Sequence, residues 1–262
     1  MFSRSLDKAQ KAFKEKNIQQ LRQAHDADGD EPHKNSHGQY IKSMIYGGLD
    51  GIITTFAVVA GVAGASLSAG IVLILGFANL IADGLSMAIG DFLSTRAENE
   101  YNHTERQREI WEVENYPDGE KKEMVEFYRS KGIEEHEADT IVNIISKHKK
   151  AWVDIMMIEE LGIIESDESP LKNALVTFVS FISFGFIPLV IFILAYILPE
   201  LSKQTFLMAS ILTGIALFVL GALKVRITGK NWFLSGMEMF LVGSLAAVAA
   251  YGIGYFLSGF GG

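Results

Sequence analysis

The sequence contains no cysteine, and it has fewer basic residues than acidic ones. Without cysteine the chain has no disulfide scaffold, no thiolate metal site and no cysteine nucleophile. Its 262 residues include 23 Lys and Arg against 31 Asp and Glu, a net charge of −8 with histidine neutral. Because binding to nucleic acid needs clustered Lys and Arg against the phosphates, nucleic acid is not an expected partner.

The negative charge is concentrated in one block of the chain. Residues 96–169 hold 20 Asp and Glu but only 10 Lys and Arg, a regional charge of −10, whereas the rest of the chain has a charge of +2. Hydrophobic residues make up 49% of the sequence and lie mostly outside this block. The composition therefore predicts a membrane protein with an acidic insert.

Five apolar stretches are each long enough to cross a hydrocarbon core about 30 Å thick as a helix. We expect helices because a helix satisfies its own backbone hydrogen bonds in lipid. The predicted fold is an all-α integral membrane protein with five transmembrane helices and a cytoplasmic helical metal-binding insert between spans two and three. The predicted spans are residues 45–66, 69–93, 174–198, 205–223 and 232–256.

Lysine and arginine in the flanking segments predict the orientation. The N-terminal arm carries eight of them, and the segment between spans four and five carries Lys224, Arg226 and Lys230, whereas the opposite side carries only Lys203. We therefore expect the N-terminus and the insert to be cytoplasmic. No targeting motif distinguishes the cell membrane from a vacuolar-type membrane. The predicted divisions are an N-terminal arm (1–43), spans one and two (44–95), the insert (96–170) and spans three to five (171–262).

The insert is expected to contain three or four helices. No helix breaker follows Leu93, so the second span should continue as a helix to about Val113. Pro117-Asp118-Gly119 predicts a turn. Further helices are predicted at residues 120–131, 134–148 and 151–161.

Paired carboxylates on the first two helices of the insert predict a metal site. Glu109 and Glu112 are three residues apart, as are Glu120 and Glu123, so each pair lies on one helix face. The short connection between the helices should bring the four together. The last helix adds Met156, Met157 and Glu160.

Thioether is a soft ligand that contributes little to Mg²⁺ or Ca²⁺, so a mixed Glu and Met set favours a first-row transition ion such as Fe²⁺. The alternative is an ordinary solvated acidic face beside two core methionines.

Acidic residues also occur within the predicted spans. Asp50 lies in span one, Asp83 and Met87 follow Asn79 at four-residue steps in span two, and Glu238 lies in span five. Carboxylates in a membrane are costly and often mark an ion route or proton relay. We therefore predict Asp50, Asp83, Met87 and Glu238 as residues of a transport pathway.

Small residues recur at four-residue spacing in span one, as in Gly47-x-x-x-Gly51 and Ala60-x-x-x-Gly64. Such spacing lets helix backbones approach closely in lipid. The sequence leaves open whether the contact is made within the chain or with a second copy.

Several of these segments together resemble the vacuolar iron transporter family, over about residues 42–257. The segments that carry the resemblance are Gly48-Leu-Asp50-Gly51-Ile-Ile-Thr-Thr-Phe, Ala82-Asp83-Gly-Leu-Ser86-Met87, Ala151-Trp152-Val-Asp-Ile-Met156-Met157 and Ser235-Gly-Met-Glu238-Met.

The resemblance implies a homodimer that exports Fe²⁺, often with Mn²⁺, from the cytoplasm in exchange for protons. It assigns metal binding to Glu109, Glu112, Glu120, Glu123, Met156, Met157 and Glu160. Its membrane site is similar to Asp50 with Met87 and an acid on span two. Some members have that acid two turns before the methionine, where this chain has Asn79.

The predicted function is therefore proton-coupled transport of Fe²⁺, and not enzymatic catalysis. The expected partners are the lipid bilayer, divalent metal ions, protons and a second copy of the chain. The alternatives are a manganese-preferring exporter, a membrane-bound di-iron oxidase or iron-storage protein, and a metal sensor. A di-iron bundle would need a second copy of Glu100-x-x-His103, which the sequence lacks.

Overall fold

The computed structural model describes residues 12–13, 15–20, 22, 36–164, 169–228 and 231–260. The chain divides into two units, Met1–Ile41 and Lys42–Gly262. In the first unit, the side chain of Asn17 accepts hydrogen bonds from the backbone N–H groups of Gln19 and Gln20. Most of the predicted N-terminal arm, and the side chains of Lys203, Arg226 and Lys230, lie outside the described residues.

The described residues form helices and no strand. We number the α-helices in chain order as α1 (Ser36–Gly64), α2 (Ala69–Asn115), α3 (Pro117–Ser130), α4 (Glu135–Ile145), α5 (Lys149–Glu159), α6 (Pro170–Gly185), α7 (Ile187–Ile197), α8 (Thr205–Thr228) and α9 (Trp232–Leu257). Short 3-10 helices follow at Pro199–Gln204 and Ser258–Phe260.

The helices α1, α2, α8 and α9 are each long and apolar enough to cross a membrane. The pair α6 and α7 also passes this test, but with a bend of 43° between them. Pro188 lies in the first turn of α7, where its ring lacks a backbone donor and crowds the carbonyl one turn earlier. The all-helical membrane class is thus confirmed with four or five candidate spans, and the count of five stays a prediction.

The helix α2 continues without interruption from the apolar region into the acidic region, as the sequence predicts. It has 47 residues, which corresponds to about 70 Å at the rise of an α-helix. One rigid element therefore carries both Met87 of the predicted pathway and Glu109 of the predicted metal site.

The connection between α2 and α3 is shorter than predicted. Only Tyr116 separates the two helices, and Pro117 is the first residue of α3. The prediction of a separate turn at Pro117-Asp118-Gly119 is wrong, because proline fits the first turn of a helix, where no partner for its missing N–H is needed. Gly132 and Gly162, which follow the C-terminal ends of α3 and α5, have positive φ angles, as glycines that terminate helices often do.

The acidic insert packs around an apolar cluster of its own. The buried members of the cluster are Val113, Met124, Val142, Trp152, Val153, Met156 and Met157. Ion pairs link helices across it: Arg106 with Asp154, Lys149 with Glu114, and Lys131 with Glu159. These contacts hold the end of α2 against α3 and α5, which carry the other predicted ligands.

The small residues of α1 make contacts within the chain. A Cβ atom added at Gly51 would collide with the backbone of Phe181 in α6, and one at Gly47 would collide with Thr177. At the other end of α1, a Cβ at Gly64 would collide with the backbone of Tyr251 in α9. The close approach that the sequence left open is therefore made by α6 and α9 of the same chain.

Candidate functional site

The five predicted carboxylate ligands of the insert form two overlapping groups. Oxygen atoms of Glu109, Glu112 and Glu120 lie within 4.8 Å of one another, and so do those of Glu120, Glu123 and Glu160. Glu120 belongs to both groups because it lies in the first turn of α3, opposite the end of α2. The single-residue connection between α2 and α3 and the position of α5 thus bring all five residues together.

Glu109 is the most buried of these groups. Its side chain is 0% exposed, and neither carboxyl oxygen forms a hydrogen bond in the part of the chain that the structure describes. Burial, followed by repulsion from Glu160, Glu120 and Glu112, raises the pKa of Glu109 to about 7. A buried carboxylate without a donor is unfavourable, and a bound cation would remove that penalty.

Glu120 and Glu160 are in a similar electrostatic environment. Burial and the nearby charges of Glu123, Glu112 and Glu160 raise the pKa of Glu120 to about 7. Burial, with repulsion from Glu123, also raises the pKa of Glu160. At neutral pH the cluster therefore exchanges protons readily, so that a metal ion entering it would displace protons.

The two methionines occupy different positions relative to the carboxylates. Met156 lines a cavity of about 50 Å³ together with Glu123 and Glu160. Met157 is 1% exposed within the apolar cluster of the insert. Both methionines belong to this cluster, and Met156 is the one that also lines the cavity beside the carboxylates.

Arg108 is a basic residue of the site that the sequence reasoning missed. Its guanidinium donates to Glu105 at 2.7 Å and lies 3.6 Å from a carboxyl oxygen of Glu109 and 3.7 Å from one of Glu112. The three- and four-residue spacing of these side chains on α2 could have indicated the contacts.

Two of the predicted pathway acids interact electrostatically in the membrane region. Asp50 of α1 and Asp83 of α2 lie close enough for their carboxyl groups to interact electrostatically. Asp83 and Met87 are both half-buried and one helical turn apart. Close packing of Gly51 against Phe181, next to Asp50, fixes the depth of α1 relative to α6.

Glu238 has a different environment from the other pathway residues. Its side chain is 66% exposed, and its carboxylate lies 3.7 Å from Nζ of Lys224 in α8. Asp50 and Asp83 thus interact electrostatically with each other, whereas Glu238 has a basic neighbour in Lys224.

A second set of polar side chains joins α2 to α6, and their pairing was not predicted from the sequence. The hydroxyl of Thr177 donates to Asp91 at 2.5 Å, and Nδ2 of Asn173 lies 3.4 Å from the hydroxyl of Thr95. These two hydrogen bonds, one buried and one partly buried, fix the register of the two helices where α2 leaves the apolar region.

Comparison with known proteins identifies relatives over most of the chain. The profile of the VIT family matches residues 41–255. A vacuolar iron transporter of Toxoplasma gondii is 42% identical over 97% of this chain and 89% of its own length. A vacuolar iron transporter of Plasmodium berghei is 34% identical, covering 95% of each chain. Vacuolar iron transporter 1 of Arabidopsis thaliana is 34% identical over 82% of this chain and 84% of its own.

Proposed function

We propose, from the premise that this chain belongs to the VIT family, that it moves Fe²⁺ out of the cytoplasm in exchange for protons. The chain is a transporter and not an enzyme, as the family and its named relatives indicate. The receiving side is a vacuole-like compartment or the exterior. The proposal assigns capture of the ion to the insert and its passage to the membrane helices.

One observation carries this proposal: a single uninterrupted helix bears residues of both sites. Glu109 and Glu112 lie near the end of α2, and Asp83 and Met87 lie in its apolar part. Met87 and Glu109 are 22 residues apart in the helix, about 33 Å at the helical rise. A rigid element of this length connects a cytoplasmic capture site to a membrane site.

The proposed capture step uses the carboxylates of the insert. Fe²⁺ displaces the protons that Glu109 and Glu120 retain near neutral pH and binds to the two groups that share Glu120. The thioether of Met156 adds a soft ligand at the Glu123 and Glu160 side, which favours Fe²⁺ over Mg²⁺.

The proposed membrane step uses Asp50, Asp83 and Met87. Their two carboxylates and one thioether are the same kinds of ligand that the insert offers. The membrane site can therefore accept the ion that the insert releases. Asp50 exchanges its proton for the metal, which would couple transport to the pH gradient.

The membrane site suggests that the transporter is a homodimer. Asp83, Met87 and Asn79 are only half-buried within one chain, although carboxylates and amides are costly to expose to lipid. Beside them, the small residues Ala82 and Ser86 of α2 are exposed. A second copy packed on this face would cover the polar stripe.

Uptake by proteoliposomes tests transport. Purified full-length protein should accumulate Fe²⁺ inside vesicles when a pH gradient is imposed, and uptake should collapse when an ionophore removes the gradient. Asp50→Asn keeps the size of the side chain and removes its charge, and it should reduce uptake to the level of empty vesicles. The matched control is Glu200→Gln, a change at an exposed carboxylate outside the predicted pathway. Full transport by Asp50→Asn would refute the pathway assignment.

Direct binding tests the insert separately. Equilibrium binding of Mn²⁺, which is stable to air, to the detergent-solubilised protein should weaken strongly in the double variant Glu109→Gln/Glu112→Gln. Glu126→Gln, an exposed change on α3, should bind as the wild type does. Equal binding by all three proteins would exclude these carboxylates as ligands.

A manganese-preferring exporter is the second candidate. Oxygen ligands outnumber the thioether in the insert, and such sites suit Mn²⁺ well. Competition uptake with both ions present decides between them: Mn²⁺ should inhibit Fe²⁺ uptake weakly if iron is preferred and strongly if manganese is.

A further inference from the structure

Arg108 occupies an unusual position for a cation within a metal-binding cluster. Its guanidinium makes its shortest contacts with Glu105, at 2.7 Å from one terminal nitrogen and 3.0 Å from Nε. The same group faces Glu109 at 3.6 Å and Glu112 at 3.7 Å. Arg108 is therefore bonded to Glu105, which is not a predicted ligand, while its charge compensates those of Glu109 and Glu112, which are.

The distances distinguish direct hydrogen bonds of Arg108 from longer contacts that act through charge alone. Charge-assisted hydrogen bonds have lengths of about 2.7–2.9 Å, so the pair with Glu105 is a direct bond. The separations from Glu109 and Glu112 are too long for hydrogen bonds and act through charge alone. Arg108 is 46% exposed, so its guanidinium has room to turn toward solvent while it remains bonded to Glu105.

We propose that Arg108 is a displaceable internal counterion of the metal-binding insert, and that it sets the concentration threshold at which divalent ions load the site. The inference rests on the proposed capture function of the insert. Without metal, the guanidinium offsets the charges of Glu109 and Glu112. A divalent ion that binds to these carboxylates removes that attraction and releases the guanidinium to Glu105 and solvent.

The displacement affects all divalent ions alike. The same interaction of Arg108 with Glu109 and Glu112 is lost whichever ion enters, so every dissociation constant is raised by the same factor. The order of affinities comes from the ligands, and Arg108 changes only the threshold. An ion that binds weakly, such as Mg²⁺, is thereby kept off the site at concentrations where it would otherwise occupy it.

Charge removal at Arg108 provides the test, with full-length protein in detergent and Mn²⁺ and Mg²⁺ as the probes. Arg108→Gln should tighten binding of both ions by about three- to tenfold, the range expected for a partly exposed ion pair. Arg108→Lys keeps the charge and should remain near the wild type. Arg129→Gln removes a cation from the same insert, where it pairs with Glu135 at 3.6 Å, and should leave the affinity within twofold.

Thermal unfolding provides a readout that a purely structural role would not produce. In EDTA, Arg108→Gln should melt below the wild type because the carboxylates lose their counterion. On saturation with Mn²⁺ the variant should gain more in melting temperature than the wild type does, since tighter binding gives greater stabilisation. A structural role would lower the melting temperature by the same amount with and without metal.

The outcomes separate this inference from the function on which it rests. If the wild type binds Mn²⁺ and Glu109→Gln/Glu112→Gln does not, but Arg108→Gln binds equally or more weakly, the counterion role is refuted and the capture function stands. A tightening that differs markedly between Mn²⁺ and Mg²⁺ would also refute it. If the wild type itself binds no metal, the capture function fails, and the counterion role fails with it.

Discussion

Glu109 is a buried carboxyl group surrounded by other carboxylates, and in this environment its protonation is linked to folding. Its pKa is raised to about 7 from an ordinary value of 4.5. The folded protein therefore holds a proton that the unfolded chain has released between these pH values. The stability that this proton provides is present in full below about pH 4.5, and it is lost as the pH rises through 7.

The first prediction concerns this pH dependence. In EDTA the wild type should lose stability between pH 5 and pH 8, and Glu109→Gln should remove part of that loss, about 1–3 kcal/mol over the window. Part of the dependence should persist because the pKa of Glu120 is raised as well. Thermal unfolding at a series of pH values measures the effect, and the exposed Glu126→Gln is the control. If Glu109→Gln showed the same pH dependence of stability as the wild type, the raised pKa would not belong to Glu109.

The convergence of the carboxylates proposed as ligands was largely predictable, because regular spacing on a helix places side chains on one face. Glu109, Glu112, Glu120 and Glu123 converge as their spacing implies. The role of Arg108 was not predictable in the same way. The position of Arg108 on α2 allows contact with Glu105, Glu109 and Glu112. Which of these three glutamates is buried depends on how α2 is rotated against the neighbouring helices, and the sequence does not specify that rotation.

At the scale of whole helices, the packing of α1 depends on glycines that admit a neighbouring backbone. Gly51 and Gly64 are positions where an added Cβ would overlap main-chain atoms of α6 and α9 respectively. Backbone atoms cannot move aside as the end of a flexible side chain can. Substitution at these positions must therefore separate the helices.

The second prediction follows from this packing. Gly51→Ala should destabilise the protein by about 1–3 kcal/mol, the usual range for overpacking, and should reduce uptake because Asp50 moves with the helix. Gly252→Ala in α9 is the matched control, since nothing lies within 4 Å of its added Cβ. Fluorescence-detected thermal stability in detergent compares the two. Equal melting temperatures would show that the α1–α6 contact is looser than the structure indicates.

The existence of the helices was predictable, and their breaks were less so. Hydrophobic runs of membrane length predict each apolar helix, and the absence of a breaker after Leu93 predicts the continuous α2. The bend between α6 and α7 and the single-residue connection at Tyr116 depend on the local backbone. Proline permits a turn, a kink or the start of a helix, and the packing of the neighbouring elements decides among these.

At the scale of the whole molecule, charge separation is the property that the sequence predicts most directly. A region of charge −10 and a nearly neutral apolar remainder predict an acidic domain outside the membrane and helices within it. Subunit contacts are harder to predict, because the exposed surface of a membrane protein is apolar both toward lipid and toward a partner. The small residues of α1 illustrate this, since they contact α6 and α9 of the same chain.

The small residues of α2 differ from those of α1, and they are the basis of the last prediction. Ala82, Ser86 and Gly90 follow one another at four-residue spacing, all are exposed, and nothing lies within 4 Å of a Cβ added at Gly90. They adjoin the half-buried Asp83 and Met87. Small residues at this spacing favour close helix contact in lipid, and a polar stripe beside them needs cover, so we expect a second copy of α2 to pack here.

The absence of cysteine makes this contact directly measurable, since any introduced thiol is the only one in the chain. Ser86→Cys changes one atom and should form a covalent dimer in native membranes on mild oxidation. Leu245→Cys, placed on α9 at a position that is 73% exposed, should remain monomeric because lipid would cover that face. Cross-linking at Leu245 and not at Ser86 would move the subunit contact to α9. It would also leave Asp83 facing lipid, which its charge makes untenable, so a pathway through Asp83 would then have to be abandoned.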